Sequence, residues 1–312
     1  MGQESKKFQS RSGRPFHTPV MREQVVSYFS SIKEGVIVDA TFGGGGHTAA
    51  LLDHLDLAVQ VLGIDRDPAA IRRAPDRDRL RLVEDNFCRL DRILDDQGLD
   101  WIAGILFDLG VSSHQLDESG RGFSFRREGP LDMRMGSDTD RTAYQIVNDT
   151  QPDELAQILS SFGEERFARR IARSIVANRP IKTTVRLAEI VTEAIPAATR
   201  RKGRHPARRT FQAIRLAVNE ELSALSDGLE AGLRFLRTGG ICVAISYHSL
   251  EDRIVKRRFR LGEGRAPGPV LPEPPPVELE NLLRKVKRPD ADEVQQNPRA
   301  RSARLRAVKK VK

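Results

Sequence analysis

The sequence has little cysteine and no long apolar run, and both scarcities restrict the class of protein. Only Cys88 and Cys242 occur among 312 residues, far apart and each in an apolar context. This favours reduced, buried thiols in a cytosolic protein over a disulfide framework. No apolar run is long enough to span a membrane, and the polar N-terminus lacks the apolar core of a signal peptide. No Cys/His pairing has metal-ligand spacing, so no metal site is expected.

Charge, in contrast, is plentiful, and positive residues outnumber negative ones. Charged residues make up 30% of the chain and its formal net charge is +9, which favours polyanionic partners. Hydrophobic residues make up 39%, enough for a substantial core in one large domain or two smaller ones. Residues 1–15 are polar and basic, and we expect them to form a disordered arm.

One glycine-rich stretch organises the rest of the chain. An apolar run, Val36–Val38, ends on Asp39, and the glycines Gly43–Gly46 precede a helix-like segment that opens at His47. Glycine is needed where backbone adopts a positive φ or lies directly against a ligand. The pattern of strand, acid, glycine turn and helix indicates the nucleotide-binding corner of an α/β domain, although a plain tight turn has the same composition.

Strands alternate with short helices around this corner, which predicts a parallel sheet and an α/β fold. The first four predicted strands end at or just before four residues suited to ligand contact, Asp39, Asp65, Phe87 and Asp108. Ligands of parallel sheets collect outside the carboxyl ends of the strands. Four such residues at one edge favour a site over four separate turn or cap residues. The predicted strands are Val36–Thr41, Val59–Ile64, Leu80–Val83 and Ile102–Phe107.

The alternation stops after Asp108. Residues 109–136 are glycine-rich and irregular, so they form either a functional loop or a small satellite core. Apolar residues at helical spacing then predict a helical insertion, which we bound at residues 119–210. We assign residues 16–118 and 211–312 to the first domain, with a long helix at Phe211–Leu236, a strand at Ile241–Ser246 and a basic helix at Leu250–Arg260. Residues 265–276 read as a proline-rich linker, and 282–286 and 303–308 as antiparallel closing strands.

Two cofactors are candidates for binding at the glycine-rich turn, Gly43–Gly46. In an NAD-linked oxidoreductase, the glycines would hold a pyrophosphate and Asp65 would bind the ribose. With S-adenosylmethionine there is no pyrophosphate, so the glycines need only lie close to the amino-acid part of the ligand. Asp65 would then bind the ribose hydroxyls and Phe87 would lie against the adenine. The basic, helical insertion fits the second cofactor better, because an oxidoreductase would carry a substrate domain with an acid-base residue.

Eight ordered motifs make the sequence resemble a known family. They are Thr41-Phe-Gly-Gly-Gly-Gly-His47, Asp65-Arg-Asp67, Asp108-Leu-Gly-Val-Ser-Ser113, Gly122-Phe-Ser-Phe125, Gly129-Pro-Leu-Asp-Met-Arg-Met135, His205-Pro-Ala-Arg-Arg-Thr-Phe-Gln-Ala213, Ile245-Ser-Tyr-His-Ser-Leu-Glu-Asp-Arg-Ile254 and Asn297-Pro-Arg-Ala-Arg-Ser302. Together they resemble the bacterial 16S ribosomal RNA cytosine-N4 methyltransferase family, also called RsmH or MraW. The resemblance runs from about His17 to the end of the chain. The departures are a longer basic N-terminal arm and the proline-rich segment.

The resemblance implies a class I, Rossmann-like methyltransferase sheet with an inserted all-helical domain. The cofactor would be S-adenosylmethionine, and the substrate the exocyclic amine of a cytidine in the decoding region of the small ribosomal subunit. The residues that the resemblance places against the cofactor are Gly45, Gly46, His47, Asp65, Phe87, Asp108 and Gln115. Gln115 lies in the irregular stretch, where the residues alone give no sign of it.

Catalytic and RNA-binding residues follow as hypotheses. Asp108, or a backbone carbonyl of Leu109–Gly110, would accept a hydrogen bond from the target amine, and His248 would take the released proton or serve only as a structural histidine. The basic residues expected to contact RNA phosphates are Arg200, Arg201, Lys202, Arg208, Arg209, Lys256 and Arg257. A non-catalytic RNA-binding or ribosome-assembly protein remains an alternative. A monomer and a homodimer are both compatible with the sequence.

Overall fold

A computed structural model describes residues 19–200, 205–265 and 275–312. The predicted arm at 1–15, most of the proline-rich segment, Arg201 and Lys202 lie outside these ranges. The chain forms two compact units, one containing the residues up to Gly110 and from Ala224 onward, the other Val111–Ser223. The second unit extends beyond the predicted insertion, residues 119–210, at both ends.

The first unit is built on one seven-stranded sheet in the order β3-β2-β1-β4-β5-β7-β6. The first five strands are parallel, and β7 runs antiparallel to both β5 and β6. The predicted α/β class is therefore confirmed. The central strands form because their apolar residues are buried on both faces, as the fully buried run Ile102–Phe107 illustrates. The strands are β1 Gly35–Asp39, β2 Val59–Asp65, β3 Leu80–Glu84, β4 Ile102–Asp108, β5 Leu236–Ser246, β6 Leu279–Asn281 and β7 Arg304–Lys310.

Helices cover both faces of the sheet. Successive residues of a strand point to opposite faces, so Ile37 packs in one core and Val38 in the other. Phe29 and Leu51 come from helices on the Ile37 side, and Leu90 comes from a helix on the Val38 side. The helices of this unit are α1 Arg22–Phe29, α2 Gly46–His54, α3 Pro68–Arg73, α4 Leu90–Asp96, most of α12 Glu221–Phe235, α13 Ser249–Gly262 and α14 Ala291–Gln296.

The second unit is helical and has its own core. The apolar stripes identified in the sequence lie in it: Leu155, Ile171, Leu187 and Val191 are fully buried. Its helices are α5 Ser113–Asp117, α6 Ala143–Asp149, α7 Pro152–Gly163, α8 Ala168–Ala177, α9 Thr184–Ala194, α10 Ala197–Arg200 and α11 Arg208–Asn219. Across the described ranges, no helix is both long and apolar enough to cross a membrane.

Two expectations about elements are wrong, and one open alternative is resolved. The helix predicted at Phe211–Leu236 is two helices, separated at Glu220, whose φ of 49° is left-handed. For residues 109–136, a functional loop and a small packed core were both open, and the structure shows that the stretch includes α5 and buries side chains such as Met133 in the core of the second unit. The first closing strand is β6, Leu279–Asn281, rather than residues 282–286.

Candidate active site at the carboxyl edge of the sheet

The three acids picked out in the sequence end three strands of the sheet. Asp39 ends β1, Asp65 ends β2 and Asp108 ends β4. The strand order reverses between β1 and β4, because β2 follows on one side of β1 and β4 lies on the other. Ligands of doubly wound sheets bind at this switch point, outside the carboxyl ends of the strands. The sheet therefore gathers the acids where the fold class binds ligands.

Asp39 braces the glycine turn. Its Oδ2 accepts a 2.7 Å hydrogen bond from the Thr48 hydroxyl, and its Oδ1 accepts a 3.3 Å bond from the Thr41 amide. Burial raises the pKa of Asp39, although nearby His47 and these two hydrogen bonds act in the opposite direction. Because the side chain is only 1% exposed, Asp39 holds the start of α2 against β1 rather than facing a ligand.

Asp65 is bonded to the glycine turn from the neighbouring strand. The Gly43 amide donates a 2.6 Å hydrogen bond to Oδ2 of Asp65, and the Asp67 amide donates a 2.8 Å bond to Oδ1. Burial raises the pKa of Asp65 to about 6, against the lowering effect of these amides. Gly43 and Gly45 both have a positive φ, and a Cβ on Gly45 would come within 2.7 Å of the Phe42 ring. Only glycine fits the turn there.

His47 is a buried histidine whose ring nitrogens have no hydrogen-bond partner among the described residues. It lies in the first turn of α2 and is 5% exposed. Its Nε2 is 3.4 Å from Oδ2 of Asp108, but the geometry is not that of a hydrogen bond. Buried polar atoms are nearly always satisfied, so an unpaired imidazole beside a carboxylate indicates a place for a ligand.

Asp108 is held from two sides. Its backbone amide donates a 2.7 Å hydrogen bond to the Thr41 hydroxyl, and its Oδ1 accepts a 2.8 Å bond from the Tyr247 hydroxyl. Burial, and then the adjacent carboxylate of Asp108, raise the pKa of Tyr247 far above its ordinary value, so the phenol stays protonated. Sequence reasoning missed Tyr247. The available signal was its position directly after β5, inside one of the eight motifs.

Phe87 lies just after β3 and forms the apolar part of the edge. Its ring packs edge-on against Phe107, with centroids 5.7 Å apart and an interplanar angle of 78°. Gly228 of α12 lies so close that an added Cβ would be 2.5 Å from the Phe87 ring. The ring is thus fixed in position and half-buried, as a surface for an adenine would need to be.

His248 and Gln115 are both engaged in helix caps. The Glu251 amide donates a 3.3 Å hydrogen bond to Nδ1 of His248, and the Glu251 side chain accepts from the His248 amide, which starts α13. Nε2 of His248 is 2.9 Å from Glu251 but not oriented for a hydrogen bond. Gln115 lies in the second unit, where it closes a capping box with Ser112 at the start of α5.

The basic residues expected to contact RNA differ in their surroundings. Arg200 donates hydrogen bonds to the carbonyl oxygens of Ile195, at 2.6 Å, and Glu193, at 3.0 Å, so its guanidinium is occupied near the end of α9. Arg209 is exposed in the first turn of α11, and Arg208 is half-buried. On the first unit, Lys256 and Arg257 are both exposed on α13. Within the described ranges, no cluster of His, Cys, Asp and Glu is suited to hold a metal ion.

Comparison with known proteins identifies the family. The sequence model of the MraW methylase family matches residues 14–311. Ribosomal RNA small subunit methyltransferase H of Halothermothrix orenii is 45% identical over 306 residues, covering 95% of this chain and 98% of the relative. The protein of the same name from Cutibacterium acnes is 47% identical over 311 residues, covering 95% and 92%. The resemblance drawn from the motifs is confirmed, and the chain belongs to the MraW methylase family.

Proposed function

We propose that the protein transfers the methyl group of S-adenosylmethionine to the N4 amine of a cytidine in the decoding region of 16S ribosomal RNA. The observation that carries the proposal is the Asp108 carboxylate, which Tyr247 fixes at the carboxyl end of β4, 3.4 Å from His47. The relatives are named for methylation of small-subunit ribosomal RNA. The choice of cytosine N4 rests on the motif resemblance and on the chemistry of this carboxylate.

The residues along the edge suit S-adenosylmethionine in chain order. Gly45, which precedes α2, and Gly46, its first residue, let the backbone lie close to the amino-acid part of the cofactor. His47 has two unpaired ring nitrogens to offer it. Asp65 keeps acceptor capacity for the ribose hydroxyls beyond the two amides that it already binds, since a carboxylate can accept about four hydrogen bonds. Phe87 offers its ring to the adenine.

Asp108 can make the cytosine amine a better nucleophile by accepting a hydrogen bond from it. The lone pair of N4 is delocalised into the ring, so the amine is a poor nucleophile until a hydrogen-bond acceptor on its N–H localises that pair. Oδ1 of Asp108 already accepts a hydrogen bond from the Tyr247 hydroxyl, so we take Oδ2 as the acceptor for the amine. The bound cofactor supplies an already activated methyl group, so the protein's main task is to orient the amine. After transfer the nitrogen must lose a proton, for which Asp108 is our first candidate acceptor.

His248 is the alternative proton acceptor. Its Nδ1 receives the Glu251 amide at the start of α13, and Nε2 is close to the same glutamate. These contacts give it a structural task at the end of β5, next to Tyr247. We therefore assign the role of proton acceptor to Asp108. We treat His248 as a residue that fixes the turn carrying Tyr247.

RNA binding would rest on the exposed cations. Lys256 and Arg257 on α13, and Arg209 on α11, are solvent-accessible and free to contact phosphates. A cytidine in folded RNA would have to swing out of its stack to reach the edge of the sheet. Since ribosomal RNA is the proposed substrate, we expect the protein to act in the cytoplasm.

The decisive experiment maps the methyl group. The full chain is incubated with 16S ribosomal RNA or small subunits and with S-adenosylmethionine labelled in its methyl group, and nuclease digests are analysed by mass spectrometry. We expect labelled N4-methylcytidine with the wild type and none with Asp108→Ala. Asp95→Ala, an exposed acid on α4, is the matched control and should match the wild type.

Binding measurements separate the competing functions. Isothermal titration should show binding of S-adenosylmethionine and none of NAD. Binding of NAD instead would support an oxidoreductase, and RNA binding without methyl transfer would support an assembly protein. Full activity of a folded Asp108→Ala variant would overturn the catalytic assignment.

A further inference from the structure

Two of the eight motifs meet in the second unit through their aromatic rings. Phe125 and His205 stack with ring centroids 4.6 Å apart and an interplanar angle of 23°. Phe211 meets the Phe125 ring edge-on, at 5.7 Å and 78°. Phe211 is buried, Phe125 is half-buried and His205 is exposed. We call these three rings the aromatic column, because they run from the core of the unit to its surface.

The outermost ring of the aromatic column is held in place. The Ala207 amide donates a 3.2 Å hydrogen bond to Nδ1 of His205, and the Arg208 amide donates a 3.1 Å bond to the His205 carbonyl. These bonds tie His205 to the start of α11 and fix the orientation of its imidazole. Partial burial and the neighbouring charge of Arg126 lower the pKa of His205 below its ordinary value, which favours the neutral ring. A fixed, neutral ring at the surface is preorganised for stacking.

Two exposed arginines accompany the aromatic column. The guanidinium carbon of Arg126 is 5.9 Å from the Phe125 ring centroid, and Arg126 is exposed. Arg209 is exposed one turn after His205, and no acid occurs between His205 and Asn219. An aromatic surface flanked by arginines combines the two interactions that single-stranded RNA offers, stacking with bases and attraction to phosphates.

We propose that the outer face of His205, backed by Phe125 and flanked by Arg126, is a stacking platform for an unpaired base of the RNA substrate. The inference rests on the proposed function in that RNA is the ligand, but it assigns a contact to residues of the second unit, none of which belongs to the Asp108 site. The contact between Phe125 and Phe211 would be enough to hold the loop that carries Phe125 against α11. The exposed imidazole adds a second aromatic layer where no core residue requires one.

The test compares RNA with and without bases. Fluorescence anisotropy of the full chain uses a labelled ten-nucleotide single-stranded RNA and a sugar–phosphate strand of the same length that lacks all bases. We expect the wild type to bind the RNA about tenfold more tightly than the abasic strand, from the usual contribution of one stacked base. His205→Ala should lose this preference and bind both strands alike.

Two further variants isolate the ring. His205→Phe removes the same hydrogen bond to Ala207 as His205→Ala does, but it keeps an aromatic face, so it should retain the preference for bases. Tyr144→Ala removes another exposed aromatic ring of the same unit and should behave as the wild type. The salt dependence of RNA binding should stay unchanged in His205→Ala, because no charge is removed, and flatten in Arg126→Ala.

Failure of this inference is distinguishable from failure of the proposed function. A wild type with no preference for bases, or a His205→Ala variant that keeps that preference, would overturn the platform even if N4-methylcytidine forms normally. If the preference is present and depends on His205 but no methyl group is transferred, the platform stands and the proposed function fails.

Discussion

The hydroxyl of Tyr247 donates a 2.8 Å hydrogen bond to Oδ1 of Asp108. Asp108 is the last residue of β4 and Tyr247 follows directly after β5, and the register of these adjacent parallel strands pairs Asp108 with Ile245. The sheet itself therefore sets the distance between phenol and carboxylate. One oxygen of Asp108 is occupied and the orientation of the other is fixed.

Tyr247→Phe tests whether this orientation matters for catalysis. The variant removes only the hydroxyl, so the fold and the affinity for S-adenosylmethionine should change little. A hydrogen bond to a charged group contributes about 1.5–3 kcal/mol, so we expect kcat to fall by about 10- to 100-fold. Single-turnover methyl transfer and isothermal titration measure the two quantities separately. Tyr144→Phe is the control, and an unchanged kcat in Tyr247→Phe would remove Tyr247 from the mechanism.

The raised pKa of Asp65 predicts how the affinity for the cofactor depends on pH. Its pKa is raised to about 6, chiefly by burial, so the free protein takes up a proton at Asp65 as the pH falls through 6. The ribose hydroxyls need the ionised carboxylate as acceptor, so affinity should be full above pH 7 and fall by up to about tenfold per pH unit well below 6. Isothermal titration between pH 5 and 8 follows this change.

Asp65→Asn supplies the comparison. Asparagine has a similar shape but no ionisable carboxyl, so the variant should bind more weakly at pH 7.5 and with little pH dependence. An equally steep pH dependence in Asp65→Asn would assign the effect to another group.

The strands β1–β4 could be predicted from the sequence, whereas the break between α11 and α12 could not. The buried strands form continuous apolar runs that end on acids, and the predicted limits of β1–β4 agree with the structure to within two residues. Asn219 is the last residue of α11, directly before the break at Glu220. Its side chain donates to the Met133 carbonyl at 2.7 Å and accepts from the Met135 amide at 2.8 Å. No local pattern shows such a distant partner, and the helical stripe continues across the break.

Part of the site could also be predicted from the sequence. Asp65 and Asp108 could be found because strand ends in a parallel sheet share an edge. Tyr247 could not be assigned, because its role arises from a contact with Asp108, 139 residues away. Arg200 looked like a phosphate contact because it begins a basic run, but local carbonyl oxygens occupy its guanidinium.

Arg200 and Arg209 should therefore respond differently to substitution. Arg200→Ala loses its bonds to Ile195 and Glu193, so it should lower the free energy of unfolding by about 1 kcal/mol and leave the salt dependence of RNA binding unchanged. Arg209→Ala should leave stability unchanged and reduce the slope of log K against log salt by about 0.7 for each single-strand phosphate that the protein no longer neutralises. Urea unfolding and RNA titrations at several salt concentrations measure both. A flatter slope in Arg200→Ala would return that residue to the RNA surface.

The ion pairs of Asp252 predict an effect on the stability of the fold. It lies on α13, is 9% exposed and accepts hydrogen bonds from Arg306 at 2.8 and 3.2 Å and from Arg304 at 3.0 Å, which fasten α13 to β7. Asp252→Ala leaves both guanidinium groups without this partner. Because they are partly solvated, we expect a loss of about 2 kcal/mol in the free energy of unfolding at pH 7.

The pH dependence of this loss follows from the pKa of Asp252. Burial opposes ionisation, but Arg306 and Arg304 outweigh it and hold the pKa of Asp252 below its ordinary value. A depressed carboxyl pKa stabilises the fold above the unfolded-state value of about 3.9, and this stabilisation is lost as the pH falls below it. The difference between wild type and Asp252→Ala in urea unfolding should therefore be constant from pH 7 to 5 and shrink below pH 4. Asp95→Ala is the exposed control, and a difference that stays constant down to pH 3 would show that packing, and not charge, links α13 to β7.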